Sequence, residues 1–448
     1  MPKVMPSWTT QDCPQGSSQD FNQDSNLVQA VQLDSGLTLI HQQVTATPVT
    51  VVDVWVHAGV CAEPHSWPGS AHFLEHMIFK GTPTLAPGMF DWMIEGQGGV
   101  TNAVTSHDHA HYFMITAATD LAQTLPYLAD LLLNAAIPIT EFEAERQVIL
   151  AEIAQMQANP DWQVYHALLR GIYGAHPYGR PVLGSPEQVQ QRSASELRLF
   201  HQMYYQPNNM TLVVVGDVSR DRAIDLASKH FQALHRGSCF PSLRPRPIKT
   251  PLAESARSHC MLRLPGIEQA RLMMAWLGPS LDELEDGYGL DVLATLLTGG
   301  RRARLVQELC DQRQWIYSID SSFTAQHQGG IFTISAWLPA PNMAAVKGVI
   351  NETIAELQST LIQEEDLQRC QRLLCHDFIF STETPSQLAG IYGYYGVCNQ
   401  LHRALTYATV IQKMTPADVQ RLAQQYLTPR RCTLATLEPD EAASGLWV

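Results

Sequence analysis

The order of patterned segments in the first half of this chain recurs in the second, and that recurrence limits the possible folds more than any other feature. "VTVVDVWVHAG" reads as a buried strand, and "ARLMMAWLGPS" stands in its place later. The helix carrying "HFLEH" is answered by "DGYGLDVLATLLTGG", "FEAERQVILAEIAQM" by "EEDLQRCQRLLCHDFIF", and the strand "NMTLVVVGDV" by "RCTLATLEP". Identity between the halves is faint while element order is kept, the pattern of an internal duplication. Between them, residues 236–258 hold four prolines, several basic residues and little periodicity, which reads as an interdomain linker. Each half mixes hairpin-type strands with helices. The expected class is therefore α+β: two similar tandem α/β-sandwich domains, each a mostly antiparallel sheet with helices on one face. The boundaries read as a disordered tail at 1–26, an N-terminal domain at 27–235, the linker at 236–258 and a C-terminal domain at 259–448.

Local signals fill in the first half. "LVQAVQLDSGLTLIHQQV" alternates around Asp34-Ser35-Gly36 and reads as a hairpin. Helical periodicity runs from near Ala71 to Lys80-Gly81, where a glycine able to take the left-handed cap and then Pro83 close it. "GGVTNAVTSHDHAHYFMITA" alternates throughout and reads as one extended strand. Thr140 to Glu143 matches a capping box opening a helix that ends at Asn159-Pro160.

The formal charge of -14, from 43 acidic against 29 basic residues, argues against nucleic acid and suits cationic peptides. Nine cysteines, odd in number, scattered and without a CxxC pair, read as reduced thiols of an intracellular protein. The first 26 residues contain one Lys, no Arg and no apolar run, so they match neither a secretory signal nor a basic transit helix. No apolar stretch reaches 18 residues, so no membrane span is expected and the location reads as cytoplasmic.

Chemistry concentrates in "GSAHFLEHMIFKGT". His72 and His76 are four apart and share a helix face, and Glu75 lies beside the second histidine. Phe73, Leu74, Met77 and Ile78 fill the other faces, so the helix should be buried and every polar atom of the trio needs a partner. Taken alone, two histidines at this spacing are more often core residues bonded to backbone. With the glutamate added, H-x-x-E-H is the inverted form of the zinc-peptidase motif. A catalytic zinc wants a third ligand and an open position. Glu145 and Glu152, two turns apart on the next long helix, both qualify, and spacing does not choose between them.

"HFLEHMIFKGT" and the downstream "ERQVILAEI" together resemble the inverzincin family of insulinase- and pitrilysin-type zinc peptidases, in particular its short-chain branch of mitochondrial processing peptidase β-subunit type. The resemblance continues through "GGVTNAVTSHDHAHYF", "AHPYGRPVLGS", "YYQPNNMTLVVVGDV" and "RARLVQELCDQRQWIYSI", covering residues 27 to 440. It implies one Zn2+ per chain held by His72, His76 and Glu152, with Glu145 orienting a ligand histidine and Glu75 as general base. It also implies peptide substrates that pair with an edge strand, with Asn102 and Ala103 at its near end. His107, His109 and His111 alternate onto one face of this segment; the family has no metal there, and a solvated or substrate-facing row is expected.

One departure bears on partners. The family's second domain supplies an Arg and a Tyr seven residues apart; here Tyr317 is present, Cys310 stands in the arginine's place, and Arg313 points elsewhere on its helix. By resemblance each chain is half of a clam-shell, and the missing arginine favours a heterodimer with a related subunit bearing an Arg-Tyr pair over a homodimer. The expected function is a zinc metalloendopeptidase for unfolded peptides or targeting and leader segments. The alternative is a weakly active or non-catalytic assembly or substrate-binding subunit of a processing-peptidase-like complex.

Overall fold

The structure, a computed structural model, describes residues 28–232 and 258–440. The expected tail at 1–26 and the linker at 236–258, apart from Ser258, lie outside the described residues. The chain builds two sheets. The first has strands β1 (Gln29–Gln32), β2 (Thr38–Gln43), β3 (Val49–Val56), β4 (Val100–Thr105), β5 (Ala110–Ala117) and β6 (Met210–Gly216), in the order β1-β2-β6-β3-β5-β4. The second has β7 (His259–Leu264), β8 (Ala270–Leu277), β9 (Ser318–Thr324), β10 (Ile331–Leu338) and β11 (Thr433–Pro439), in the order β7-β11-β8-β10-β9. Without β1 the two orders coincide strand for strand, as a duplication requires. Each sheet is antiparallel except for one parallel pair, β2 with β6 and β11 with β7. The architecture is the α+β sandwich that the element order implied.

Alternation along β3 explains how the layers assemble. Val52, Val54 and Val56 face the helices of their own half, among them Ser70–Ile78, Leu121–Leu133 and Ala194–Tyr204. Val51 and Trp55 face the other way and are covered by the helix Pro385–Val397, which comes from the second half. The exchange is reciprocal: Leu168, Leu169 and Ile172 of the helix Pro160–Tyr173 pack on Ala275, Ala435 and Leu437 of the second sheet. Thus each sheet has its own helices on one face and a helix lent by the other half on the second.

Two local readings need correction. The segment from Val100 to Ala117 is a hairpin, β4 and β5, because Ser106 and His109 close a turn in which Ser106 N–H donates to the His109 carbonyl at 2.8 Å. The long helix starts at Ile139 behind an N-cap Pro138, so no capping box forms at Thr140. With the helix already begun at Ile139, Thr140 has helical backbone in the first turn and cannot act as the N-cap. Gly81, in contrast, is left-handed as expected, with φ of 94°, and a Cβ there would meet the Leu85 carbonyl oxygen at 2.5 Å.

Helix Pro385–Val397 approaches β3 so closely that a Cβ on Gly393 would overlap the Trp55 indole, whereas one on Gly390 meets nothing within 4 Å. Gly393→Leu is expected to destabilise the protein by about 1–3 kcal/mol through overpacking, while Gly390→Ala is neutral or stabilising by up to about 1 kcal/mol. Urea denaturation of both variants checks this; equal midpoints would contradict the close approach.

Candidate metal centre

The helix Ser70–Ile78 is apolar except for its polar trio: Phe73, Leu74, Met77 and Ile78 are all fully buried. It packs on the helix Ile139–Gln157, where Phe73 stacks on Phe142 with ring centroids 4.5 Å apart. This contact sets the two helices in register so that Glu145 and Glu152, two turns apart, meet His76 and His72. Glu152 Oε2 lies 3.5 Å from His76 Nε2 and 3.8 Å from His72 Nε2. Ligand atoms of His72, His76 and Glu152 all fall within 4.8 Å of one another, the one such cluster among the described residues.

Two donors about 2.1 Å from a tetrahedral ion lie about 3.4 Å apart, so these separations fit one zinc-sized ion. The chemistry of the donors fits as well. Burial, with the neighbouring His76 adding to it, holds the His72 imidazole down to about 3, so it stays neutral with a free lone pair. Two buried polar atoms, His72 Nδ1 and Glu75 Oε2, have no hydrogen-bond partner among the described residues. Burial raises the Glu75 carboxyl. Glu152 is the exposed member, its side chain 39% accessible, so the cluster opens to solvent on that side.

Spacing left Glu145 and Glu152 as equal candidates; the geometry separates them. Glu145 is turned to the far side of His76, where Oε1 accepts a hydrogen bond from Nδ1 at 2.8 Å and Oε2 contacts Lys80 Nζ at 2.6 Å. Burial pushes the Glu145 carboxyl up, but the bonds from Lys80 and His76 outweigh it and hold the group below its ordinary value.

The remaining predicted residues spread around this centre. Asn102 and Ala103 lie on β4, which pairs with β5 on one side and forms an edge of its sheet. Asn102 Oδ1 accepts the Ala103 N–H at 2.8 Å. Tyr317 belongs to the other sheet, where it stands 58% exposed just ahead of β9. Cys310 sits half-buried against the second core. Arg313 is engaged by Glu308 at 2.8 Å and lies over Trp315.

The histidine row is neither solvated nor at the metal cluster. His111 Nδ1 bonds Asp53 at 3.1 Å and the ring stacks on Trp55; His109 packs between Trp55 and Tyr394; His107 donates to the Arg180 carbonyl. His109 and His111 lie on the side that receives the second half's helix, opposite the helix Ser70–Ile78, while His107 sits in the turn between β4 and β5 against Tyr178. Nearby Asp108 accepts from Tyr178 Oη and from the His327 N–H, joining the two halves.

Two contributors escaped the sequence reading. The sequence marks Lys80 only as a basic residue near the helix end; in the structure it stands two residues past Ile78 and reaches Glu145. Glu63 is fully buried and caps the metal helix, accepting N–H groups of Gly69 at 3.1 Å and Ala71 at 2.9 Å. No local signal marks it, since it stands seven residues ahead of the helix.

Residues 38–186 match the family model described as insulinase (peptidase family M16), and residues 193–374 match the peptidase M16 inactive domain. The chain belongs to peptidase family M16. A zinc protease of Helicobacter pylori is 28% identical over 92% of this chain and 93% of its own. An uncharacterized zinc protease of Mycobacterium tuberculosis is 29% identical over 92% and 94%. The crystal structure of a protease from Helicobacter pylori superposes with a TM-score of 0.85 at 27% identity, over 92% of this chain and 99% of that one. A structure of the M16 inactive domain from Pseudomonas fluorescens shares the fold, with a TM-score of 0.83 at 22% identity over 92% and 98%. Among the described residues no helix is long and apolar enough to cross a membrane.

Burial raises the Glu63 carboxyl from 4.5 to about 7. The folded chain therefore binds this proton more tightly than the unfolded chain. The resulting stabilisation is complete below the unfolded value and is lost as pH rises through about 7. Glu63→Gln does not titrate, so the wild type's stability relative to this variant is expected to be greatest in acid and to decline between about pH 4.5 and 7. Urea denaturation across that range measures it; a pH-independent difference would contradict it.

Proposed function

We propose that this M16 chain is a zinc metalloendopeptidase for unfolded peptides or targeting and leader segments, with its metal-binding domain at 27–235 and its non-metal counterpart at 259–448. The observation that carries the reading is the convergence of His72, His76 and Glu152 donor atoms within 4.8 Å, beside a buried carboxyl with one unpartnered oxygen. One zinc ion at that cluster supplies Lewis-acid polarisation of a peptide carbonyl and acidifies a water. His72, His76 and Glu152 are its ligands, and three protein ligands leave a position open to substrate. Glu75 is the general base: its raised carboxyl takes the water's proton and returns it to the leaving amine. Glu145 holds His76 by Nδ1 and so keeps Nε2 free as the ligand atom.

The peptide adds as a strand beside β4. Backbone pairing tolerates many side-chain sequences, as a processing enzyme requires. Asn102 Oδ1 now covers the Ala103 N–H, so the Asn102 side chain must swing aside where the substrate carbonyl takes that donor.

Cys310, standing where an arginine would complete the Arg-Tyr pair with Tyr317, favours a chamber shared with a related subunit that brings its own pair. We place the protein in the cytoplasm, in line with its scattered cysteines. The same substitution supports the second reading, a weakly active or substrate-holding subunit, whenever the chain stands alone. Adding a paired M16 subunit is accordingly expected to raise cleavage of a quenched fluorescent peptide well above that of the chain alone; full activity of the isolated chain would argue against the shared chamber.

Glu75→Gln is expected to lower turnover by about 10²- to 10⁴-fold while the zinc content stays at one per chain. Peptide cleavage and metal analysis on the same sample separate the two. Unchanged turnover removes Glu75 as the base, and loss of metal would make it a ligand instead.

A further inference from the structure

The two oxygens of Glu145 are held by different partners, Oε1 by His76 Nδ1 at 2.8 Å and Oε2 by Lys80 Nζ at 2.6 Å. We propose that Lys80 is a positioning residue of the metal centre: by gripping Glu145 Oε2 it fixes the carboxylate so that Oε1 faces His76 Nδ1, and so aims His76 Nε2 at the metal. The inference rests on the reading of His72, His76 and Glu152 as ligands.

Three observations carry it. First, Lys80 stands just past the helix Ser70–Ile78, in the turn where its N–H bonds the Met77 carbonyl at 3.1 Å, and from there its Nζ reaches the carboxylate that also holds the ligand ring. Second, the torsion that turns a carboxylate about its last bond is broad. A single bond from His76 leaves that plane loose, and a second bond at the other oxygen sets it. The Lys80 side chain is drawn in to make that bond, only 27% exposed although lysine heads normally stay in water. Asp91 also feels the Lys80 charge, yet the direct contact is with Glu145. Third, His72 Nδ1 has no partner among the described residues, so His76 is the ligand ring whose orientation the protein fixes from behind. The orientation of a ligand imidazole is decided by what its other nitrogen bonds. In this site that control passes through Glu145 to Lys80.

The test is zinc affinity of the full-length protein, titrated against a chromophoric chelator, with circular dichroism confirming that each variant is folded. Lys80→Met is expected to weaken zinc binding by about ten- to a hundredfold, with Lys80→Arg recovering part of the loss. In a Glu145→Gln background, Lys80→Met should cause little further loss, because the lysine acts through that carboxylate. Lys80→Gln, measured in parallel, gives the same reading should the methionine variant not fold. Wild-type affinity in folded Lys80→Met, or an undiminished loss in the Glu145→Gln background, overturns the proposal. His76→Ala separates the two levels. If wild type binds no zinc that this variant loses, the metal reading falls and the role of Lys80 with it; if it does, and Lys80→Met still binds like wild type, the role of Lys80 alone falls.

Discussion

The constraint on which this structure turns is the drawing-in of two imidazoles and a carboxyl, His72 buried and Glu75 and His76 half-buried, on a helix whose other residues beyond Ser70 are apolar. Such groups are costly inside a protein unless each polar atom finds a partner. The imidazoles find theirs on the helix Ile139–Gln157, Glu145 at His76 Nδ1 and Glu152 near both Nε2 atoms, while Lys80 holds Glu145 and Glu63 caps the helix backbone. Assembling the site and packing the N-terminal half are therefore the same event. The Phe73–Phe142 stack supplies apolar contact at the point where the polar partners must also meet. What the fold leaves unpaired is confined to His72 Nδ1 and Glu75 Oε2 within this trio. A buried unsatisfied group costs about 1–3 kcal/mol, and both stand on the helix that carries the donor cluster.

A second constraint fixes how the halves meet. Each sheet would expose one apolar face if it kept only its own helices, and the exchange of Pro160–Tyr173 for Pro385–Val397 covers both. The polar residues at this junction are matched across it. Tyr173 Oη donates to Gln326 at 2.8 Å, Tyr392 Oη to Gln42 Oε1 at 2.6 Å, and Asp108 takes the His327 N–H at 3.1 Å. Burial drives His109 to about 3, and it sits neutral against Trp55 and Tyr394. His109 and His111 thus belong to the packing around Trp55 where the halves meet, and the turn takes His107 out of that row.

What the sequence made legible follows from how local each signal is. Strand and helix identity, the duplicated order and the left-handed Gly81 rest on periodicity or on one residue's conformational freedom, and these were readable. The two histidines were readable as a face because helical spacing is a local fact. The choice between Glu145 and Glu152 was not, because both project from nearly one face and only the rotation of one helix against another distinguishes them. Glu63 was invisible for the same reason, being brought to the helix N-terminus by a loop. The hairpin turn at Ser106–His109 was hidden because alternation continues through it, with two histidines where turn residues such as glycine would have marked it. The side on which the histidine row lies depended on which face of the sheet the second half covers, a fact no window of sequence contains.

The C-terminal half makes the same distinction from the other direction. Its strand order repeats that of the first sheet, and its helix Leu284–Thr298 occupies the corresponding place in the element order. Yet the buried middle of that helix carries leucines, a valine and an alanine, with Asp291 as its one ionisable residue. Burial lifts Asp291 to about 7, a hydrogen bond from Tyr407 satisfies it, and no donor cluster forms around it among the described residues. Apolar periodicity alone is enough to rebuild the sandwich. The donor cluster needs in addition histidines and the acids that face them, and those are missing from Leu284–Thr298 without disturbing the pattern that folds the chain. A duplicated fold with one donor cluster among the described residues is what results when the two requirements reside on different residues.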